Sequence, residues 1–411
     1  MSWETVKLAS ISKNIQTGPF GSQLHQSDYS EHGIPVIMPK DLLNGHVSEA
    51  SIARVAKDHV ERLSKHKVEV GDILYSRRGD VGRCAFTTKK EEGWLCGTGC
   101  LRVSIDTEKA NPKFVFYQLQ KSETVGWVEK HAVGATMLNL NTSILSDIPI
   151  EVPNIEIQNR IVDILSAYDD LIENNQKQIK LLEEAAQRLY KEWFVDLRFP
   201  GYENTKIVDG VPEGWKYKPL SEVFDFIRGK SYTSQEIDEN NGTLMVNLKN
   251  IRAFGGYNRN AEKRFTGNYK KEQSLKPGDI VMGITDMTQE RRLVGHVAIV
   301  PDLKEPMTFS MDLIKLIPKS VKNSFLYSTL LYGGFSYKIS PLANGVNVLH
   351  LKPEAMMNLQ MLVPSDELMN AFDKAFEPIS AKIESLQGQN NVAAEARDRL
   401  LPKLMNGEVE V

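Results

Sequence analysis

From Ile157 to about Leu197 the chain contains neither glycine nor proline, and Glu, Gln, Lys, Leu and Ala dominate. Within it Ile161, Leu165, Tyr168, Ile172, Asn175, Ile179, Leu182, Ala186, Leu189 and Trp193 recur in steps of four and three. That spacing predicts one long helix with a coiled-coil seam, in residues that favour helix. Adding 211 to each position gives a second seam: Phe372, Phe376, Ile379, Ile383, Leu386, Asn390, Ala393, Arg397, Leu400 and Leu404. There Arg397 interrupts the stripe, Gly388 sits mid-helix, and Pro378 is expected to kink or restart the helix. Asparagine on a seam costs stability and fixes register, so Asn175 and Asn390 are expected near the middle of the paired helices, within about one turn of each other. Ile164 and Leu171 add a second apolar edge, a surface for another subunit.

The rest of the chain reads differently. Short apolar runs such as IPVIM, DILYS and CLRVSI are broken by Gly, Pro and Asn, as strands are. Helical patterns such as KFVFYQLQKSETVGWVEK lie among them. GDILYSRRGDVGRCA, from Gly71, returns about two hundred residues later as GDIVMGITDMTQERRLVGHVAIV, from Gly278. VIMPKDL (Val36–Leu42) falls on MVNLKNI (Met245–Ile251), and GATMLNL (Gly134–Leu140) on GVNVLHL (Gly345–Leu351). A nearly constant offset, drifting between 207 and 213, marks an internal duplication. The predicted architecture is α+β: globules over 1–153 and 200–363, each followed by a long helix, over 154–199 and 364–411. The two helices are expected to pair with each other.

Composition sharpens this in one respect. The net charge of −3 conceals a segregation: 18 basic against 18 acidic residues in 1–153 and 6 against 9 in 154–199. The balance is 21 against 17 in 200–363 and 5 against 9 in 364–411. The acidic helices alternate with neutral-to-basic globules, which leaves room for a DNA-facing surface. Three clustered cysteines, Cys84, Cys96 and Cys100, are too few for a disulfide framework and read as buried thiols rather than metal ligands. With no long apolar run and no signal-peptide pattern at the start, the expectation is a cytoplasmic chain with no membrane partner.

Four stretches carry a resemblance: GPFGSQL (Gly18–Leu24), GDILYSRRGDVG, EAAQRLYKEWFVDLRFPGYE (Glu184–Glu203) and RDRLLPKLMNGEVEV (Arg397–Val411). End to end, the chain resembles the specificity subunits of Type I restriction–modification systems. In the second half RGKSYTS stands where GPFGS has no clear counterpart. The resemblance implies two target-recognition domains on double-stranded DNA, each reading one half of a split, asymmetric site. The two helices would form an antiparallel spacer. Two modification subunits, which hold S-adenosylmethionine and methylate adenine, would dock on it, with restriction subunits as further partners. This chain would hold no cofactor or metal and catalyse nothing.

Base-edge contacts specify and phosphate contacts position, chiefly through Arg, Lys, Asn and Gln. In the first globule Arg77 and Arg78 leave the strand-like DILYS beside Gly79, placed to enter a groove; a solvated turn is the plain alternative. Gly18, Ser22 and Gln23 suit a close backbone approach, with Lys40, Thr136, Asn139 and Asn141 as further candidates. In the second globule Arg252, Arg259, Lys263 and Arg264, with Lys270 and Lys271, interleave with Phe254, Tyr257, Phe265 and Tyr269. That pattern suits phosphate contact and groove insertion. Arg291 and Arg292 are preferred there as base readers, and Lys230 joins the candidate contacts. RGKS at Arg228–Ser231 is not a phosphate loop, because Phe224 stands where the required glycine would be. The competing functions are a methyltransferase or nuclease acting by itself, opposed by the missing cofactor motifs, and a scaffold that has lost DNA recognition.

Overall fold

The computed structural model describes residues 3–134 and 138–411. Two compact units divide the chain: residues 1–174 with 389–411, and residues 175–388. Each unit therefore joins one globule to segments of both long helices; in the first, Asp169 meets Arg397 and Arg160 meets Val411, so its two segments run antiparallel.

In the first unit, strands Ser12–Thr17, Cys100–Ile105, Ile73–Ser76 and Cys84–Phe86 lie side by side as an antiparallel sheet. A second sheet orders Leu95–Cys96, Ile34–Ile37, Ala53–Val55 and Tyr29–Ser30, with a parallel pair between the first two. A ribbon of Glu4–Lys7 against Pro149–Val152 closes the globule just before the helix Ile155–Tyr190 begins. The second unit repeats the plan. Phe224–Arg228, Leu313–Pro318, Ile280–Gly283 and Val297–Ile299 form its first sheet. Ile237–Asp238, Lys263–Phe265, Thr243–Val246 and Met307–Phe309 form the second, extended by Ser274–Leu275. Lys216–Pro219 against Gln360–Val363 closes it before the helix Asp366–Met405.

The duplicated Gly-Asp-Ile is a structural turn. Gly71 and Gly278 both hold φ +88°, a conformation that suits glycine. Asp72 accepts from the Glu69 amide and the Ser104 hydroxyl and faces Arg102 on the next strand at 3.5 Å. Asp279 accepts from the Lys276 amide and faces Lys315 at 3.8 Å. The aspartate caps the turn, the basic partner balances it, and the isoleucine enters the core. Burial nevertheless pushes the Asp72 carboxyl above its ordinary range.

The helix seams are buried or half-buried throughout the described chain. Ile161, Leu165, Leu404 and Met405 extend the core of the first globule, and Ala186, Tyr190, Phe372 and Phe376 that of the second. Asn175 is buried and Asn390 half-buried, one in each unit. Two expectations are corrected. The helix Asp366–Met405 runs unbroken through Pro378, and both Pro378 and Lys374, whose carbonyl loses its helical donor, are exposed residues. Arg397 does not spoil its seam: it donates to Asp169 at 2.8 Å, and Asp169 accepts from the hydroxyl of buried Tyr117. Burial, then the bond to Asp169, raises the Tyr117 phenol well above its ordinary range. All three cysteines are buried free thiols, with Cys84 and Cys96 pushed up to about 12 by burial. Among the described residues no helix is long and apolar enough to cross a membrane, and no cluster of metal-ligating side chains occurs.

Candidate nucleic-acid interface

Four separated segments of the first globule meet at one place. Gly18 follows its strand and donates to Cys100 O; a methyl group there would stand 1.9 Å from the carbonyl oxygen of Gly97. Gly97 in turn donates to Ile37 O and leaves no space against Met38, while Gly99 lies against Pro39. Arg77 donates its amide to Gly99 O, its carbonyl accepts from Leu140, and Gly79 donates to Leu138 O. Arg78 is bridged to Asn139. Gly18, Met38, Pro39 and Arg77 thus meet the Gly97–Gly99 turn, with Leu138 and Asn139 against Arg78 and Gly79 beside it, and glycines make that approach possible. Arg78 is exposed, Arg77 half-buried. Arg77 Nε and Asn139 Oδ1 are buried without a partner among the described residues, an arrangement that a ligand or ordered water would complete. Thr136 lies outside the described residues.

The second globule repeats this convergence in register. A methyl group on Gly229 would likewise stand 1.9 Å from the Ser310 carbonyl oxygen, and Lys230 bridges to Ser310. Ile284 donates to Asp312 O and accepts from Leu351, as Arg77 does with Gly99 and Leu140. Thr285 pairs with His350, as Arg78 does with Asn139. So RGKSYTS, which showed no clear likeness to GPFGS in sequence, is the structural counterpart of that segment. Thr285 and His350, never candidates in the sequence, occupy the places of Arg78 and Asn139. Exposed His350 brings Nδ1 within 3.5 Å of the Thr285 hydroxyl.

Several candidates are corrected by their partners. Arg252 pairs with Glu183 at 2.6 Å, and Arg259, its side chain only 10% exposed, pairs with Glu384 and reaches Gln387. Both fasten the second globule to helix segments of its own unit, where an opposite charge is close. Arg264 grips Glu305 through two bonds of 2.8 and 3.1 Å, and Lys263 donates to the Tyr232 hydroxyl at 2.6 Å. Of the interleaved aromatics, Tyr257 is buried and bonded to Glu262 and Phe265 is buried, so neither inserts into a groove; Phe254 is 62% exposed. Arg292 pairs with Glu290 beside it, and Arg291 holds φ +53° in the same loop. Asn141 caps a short helix by accepting from Ile144, and Lys40 donates to the Ser51 carbonyl. Gly18 serves the contact with Gly97 rather than an outside backbone approach. Ser22 is exposed, while Gln23 accepts from the Phe20 amide and shapes its own turn.

Comparison with known proteins adds an independent line. A family model described as the Type I restriction modification DNA specificity domain matches residues 1–184 and again 212–393. The chain is 26% identical to the Type I restriction enzyme MjaIX specificity subunit of Methanocaldococcus jannaschii, over 93% of this chain and 88% of that one. It is 24% identical to the HindI specificity subunit of Haemophilus influenzae, over 99% of both. Among solved structures, a Type-I restriction-modification system S subunit from M. genitalium shares the fold, with a TM-score of 0.61 at 18% identity, covering 98% of this chain and 96% of that one.

Proposed function

We propose a division of labour for this chain, which belongs to the Type I restriction modification DNA specificity family and carries two copies of that domain. Each globule reads one half of a split site on double-stranded DNA through its converging segments. The antiparallel helices hold the two readers at a fixed gap. The observation that carries this reading is the register: the same segments converge in both globules, while Arg77, Arg78 and Asn139 give way to Ile284, Thr285 and His350. One scaffold with different side chains at matching positions suits two different half-sites. Arginine matches the acceptor pair of guanine, so guanine is expected in the half read by the first globule. Lys230, which borders the cluster of the second globule, supplies a phosphate contact, which positions without specifying.

On this reading the chain catalyses nothing. Modification subunits dock on it, hold S-adenosylmethionine and methylate adenine, with restriction subunits joining them. Support comes from the names of the relatives, which are specificity subunits of restriction enzymes. The test is co-expression with the cognate modification subunit in a host free of DNA methylation, followed by genome-wide mapping of methylated adenine. A split, asymmetric motif with a constant gap is expected. Methyl transfer by this chain alone would overturn the non-catalytic role. A complex that assembles and methylates no defined sequence would favour a scaffold without recognition.

A further inference from the structure

The register places an unexpected kind of side chain on the second reader. Met287 is 77% exposed and Val346 is 86% exposed, two of the three most exposed large apolar side chains among the described residues. They stand on the two loops that flank the Thr285–His350 pair. Neither loop is loose. Asp286, 1% exposed, accepts from the Thr288 amide and hydroxyl, both at 2.8 Å, and from the Leu293 amide at 2.7 Å. Its carboxylate therefore fixes the loop that carries Met287. Val346 follows Gly345, which is held at φ +146° with its α-carbon pressed towards the Val348 carbonyl. Gln289 then ties the two loops together, donating to the Val346 carbonyl at 2.8 Å.

Single exposed apolar side chains are ordinary. Two on loops anchored by a buried carboxylate, and joined by a hydrogen bond, are a built surface. The residue offset changes from 207 at Ile280–Gly283 to 213 at Val297–Ile299, so the loop bearing Met287 is an insertion of the second globule. At the corresponding positions the first globule carries charge, in Arg77 and Arg78, where the second has Ile284 and Thr285. A reader that lacks arginine at these places and offers exposed carbon instead needs an apolar feature on DNA. The major groove provides one on a base edge: the C5-methyl group of thymine.

We propose, building on the half-site reading above, that Met287 and Val346 determine specificity in the second half-site by contacting thymine methyl groups. The test uses the complex with its modification subunit, once its methylated motif is mapped. Duplexes are made with each thymine of the second half-site replaced, one at a time, by deoxyuridine, which removes only the methyl group. Replacement at one or two positions is expected to weaken selective binding about fourfold each, as burying one carbon group implies. Met287→Ala with Val346→Ala should bind thymine and deoxyuridine duplexes alike at those positions, while discrimination in the first half-site stays unchanged. Val346→Thr, nearly isosteric, guards against a loop that has merely collapsed and should lose part of the discrimination. No deoxyuridine effect in a half-site that is otherwise selected, a second half-site without thymine, or undiminished discrimination by the double variant would each overturn the proposal. Failure of the unaltered complex to select any split site would overturn the half-site reading instead.

Discussion

Each globule packs a helix against segments of the two long helices, and the two differ in what holds that contact. In the first unit buried Tyr117 and half-buried Asp169 and Arg397 form a polar tie. The matching positions in the second unit are Ser328, Ser380 and Ala186, all small. Next to them lies a cleft of about 880 Å³ whose walls include Tyr327, Phe376, Ile379, Asp373 and Glu377. Here fastening has moved outward, to Arg252 on Glu183 and Arg259 on Glu384. Duplication has kept the backbone plan and the turn chemistry, while the same docking is achieved once from within and once from the rim. The matching surface positions diverge in the same spirit: arginine and asparagine in one globule, threonine, histidine and exposed carbon in the other.

Four measurements would break or sharpen this contrast, beginning with the largest effect. Arg77→Ala with Arg78→Ala should lower discrimination in one half-site by roughly 4 kcal/mol, about a thousandfold, since each bidentate base contact contributes about 1–3 kcal/mol. Methylation mapping should then show one half of the motif degenerate and the other intact; degeneracy in both halves would mean the globules do not read separately. Next, Arg397→Ala strands the Asp169 carboxylate, whose side chain is 11% exposed, and should destabilise the first unit by roughly 3 kcal/mol. Arg259→Ala leaves Glu384 still 40% exposed to water, so its cost to the second unit should be about 1–2 kcal/mol. Denaturant unfolding with a probe in each unit compares the two; equal losses would erase the distinction between tie and rim.

The smallest effect concerns pH. Burial, with Lys65 and Arg102 nearby, holds the His66 imidazole below its ordinary value. The folded state therefore resists its protonation, so this contribution is present above about pH 6.5 and is lost as pH falls and the unfolded chain takes up the proton. The first unit should weaken as acid is added through that range, and His66→Gln should flatten the dependence; an unchanged slope would acquit the histidine.

How much of this could be read from the residues depends on the distance over which the chemistry acts. The Gly-Asp-Ile repeat was legible because its cause is local: glycine for a positive φ, aspartate for a turn amide three residues back. The seams were legible because helical spacing reports burial directly. The charged candidates were not, because the partners of Arg252 and Arg259 stand 69 and 125 residues away in the chain. A basic cluster looks the same whether it faces phosphate or glutamate. His350 was within reach, since the repeat already aligned it with Asn139. Thr285 was hidden by the insertion that follows it, and Arg291 and Arg292 took its place as expected readers only because they lie in that added loop.

The division of the chain also sets an order in time. The second unit is one continuous stretch, residues 175–388, whereas the first needs residues 389–411 to complete it. On the ribosome the N-terminal globule emerges first. Yet Leu404 and Met405 of its core, and the arginine that answers Asp169, are made only after the whole of the second unit. The unit that is synthesised earliest is thus finished latest. Until residues 389–411 are made, its apolar strip along Ile161 and Leu165 awaits cover, while the globule made after it already has every residue it needs. A message cut short before residue 389 would yield a complete second unit joined to an unfinished first.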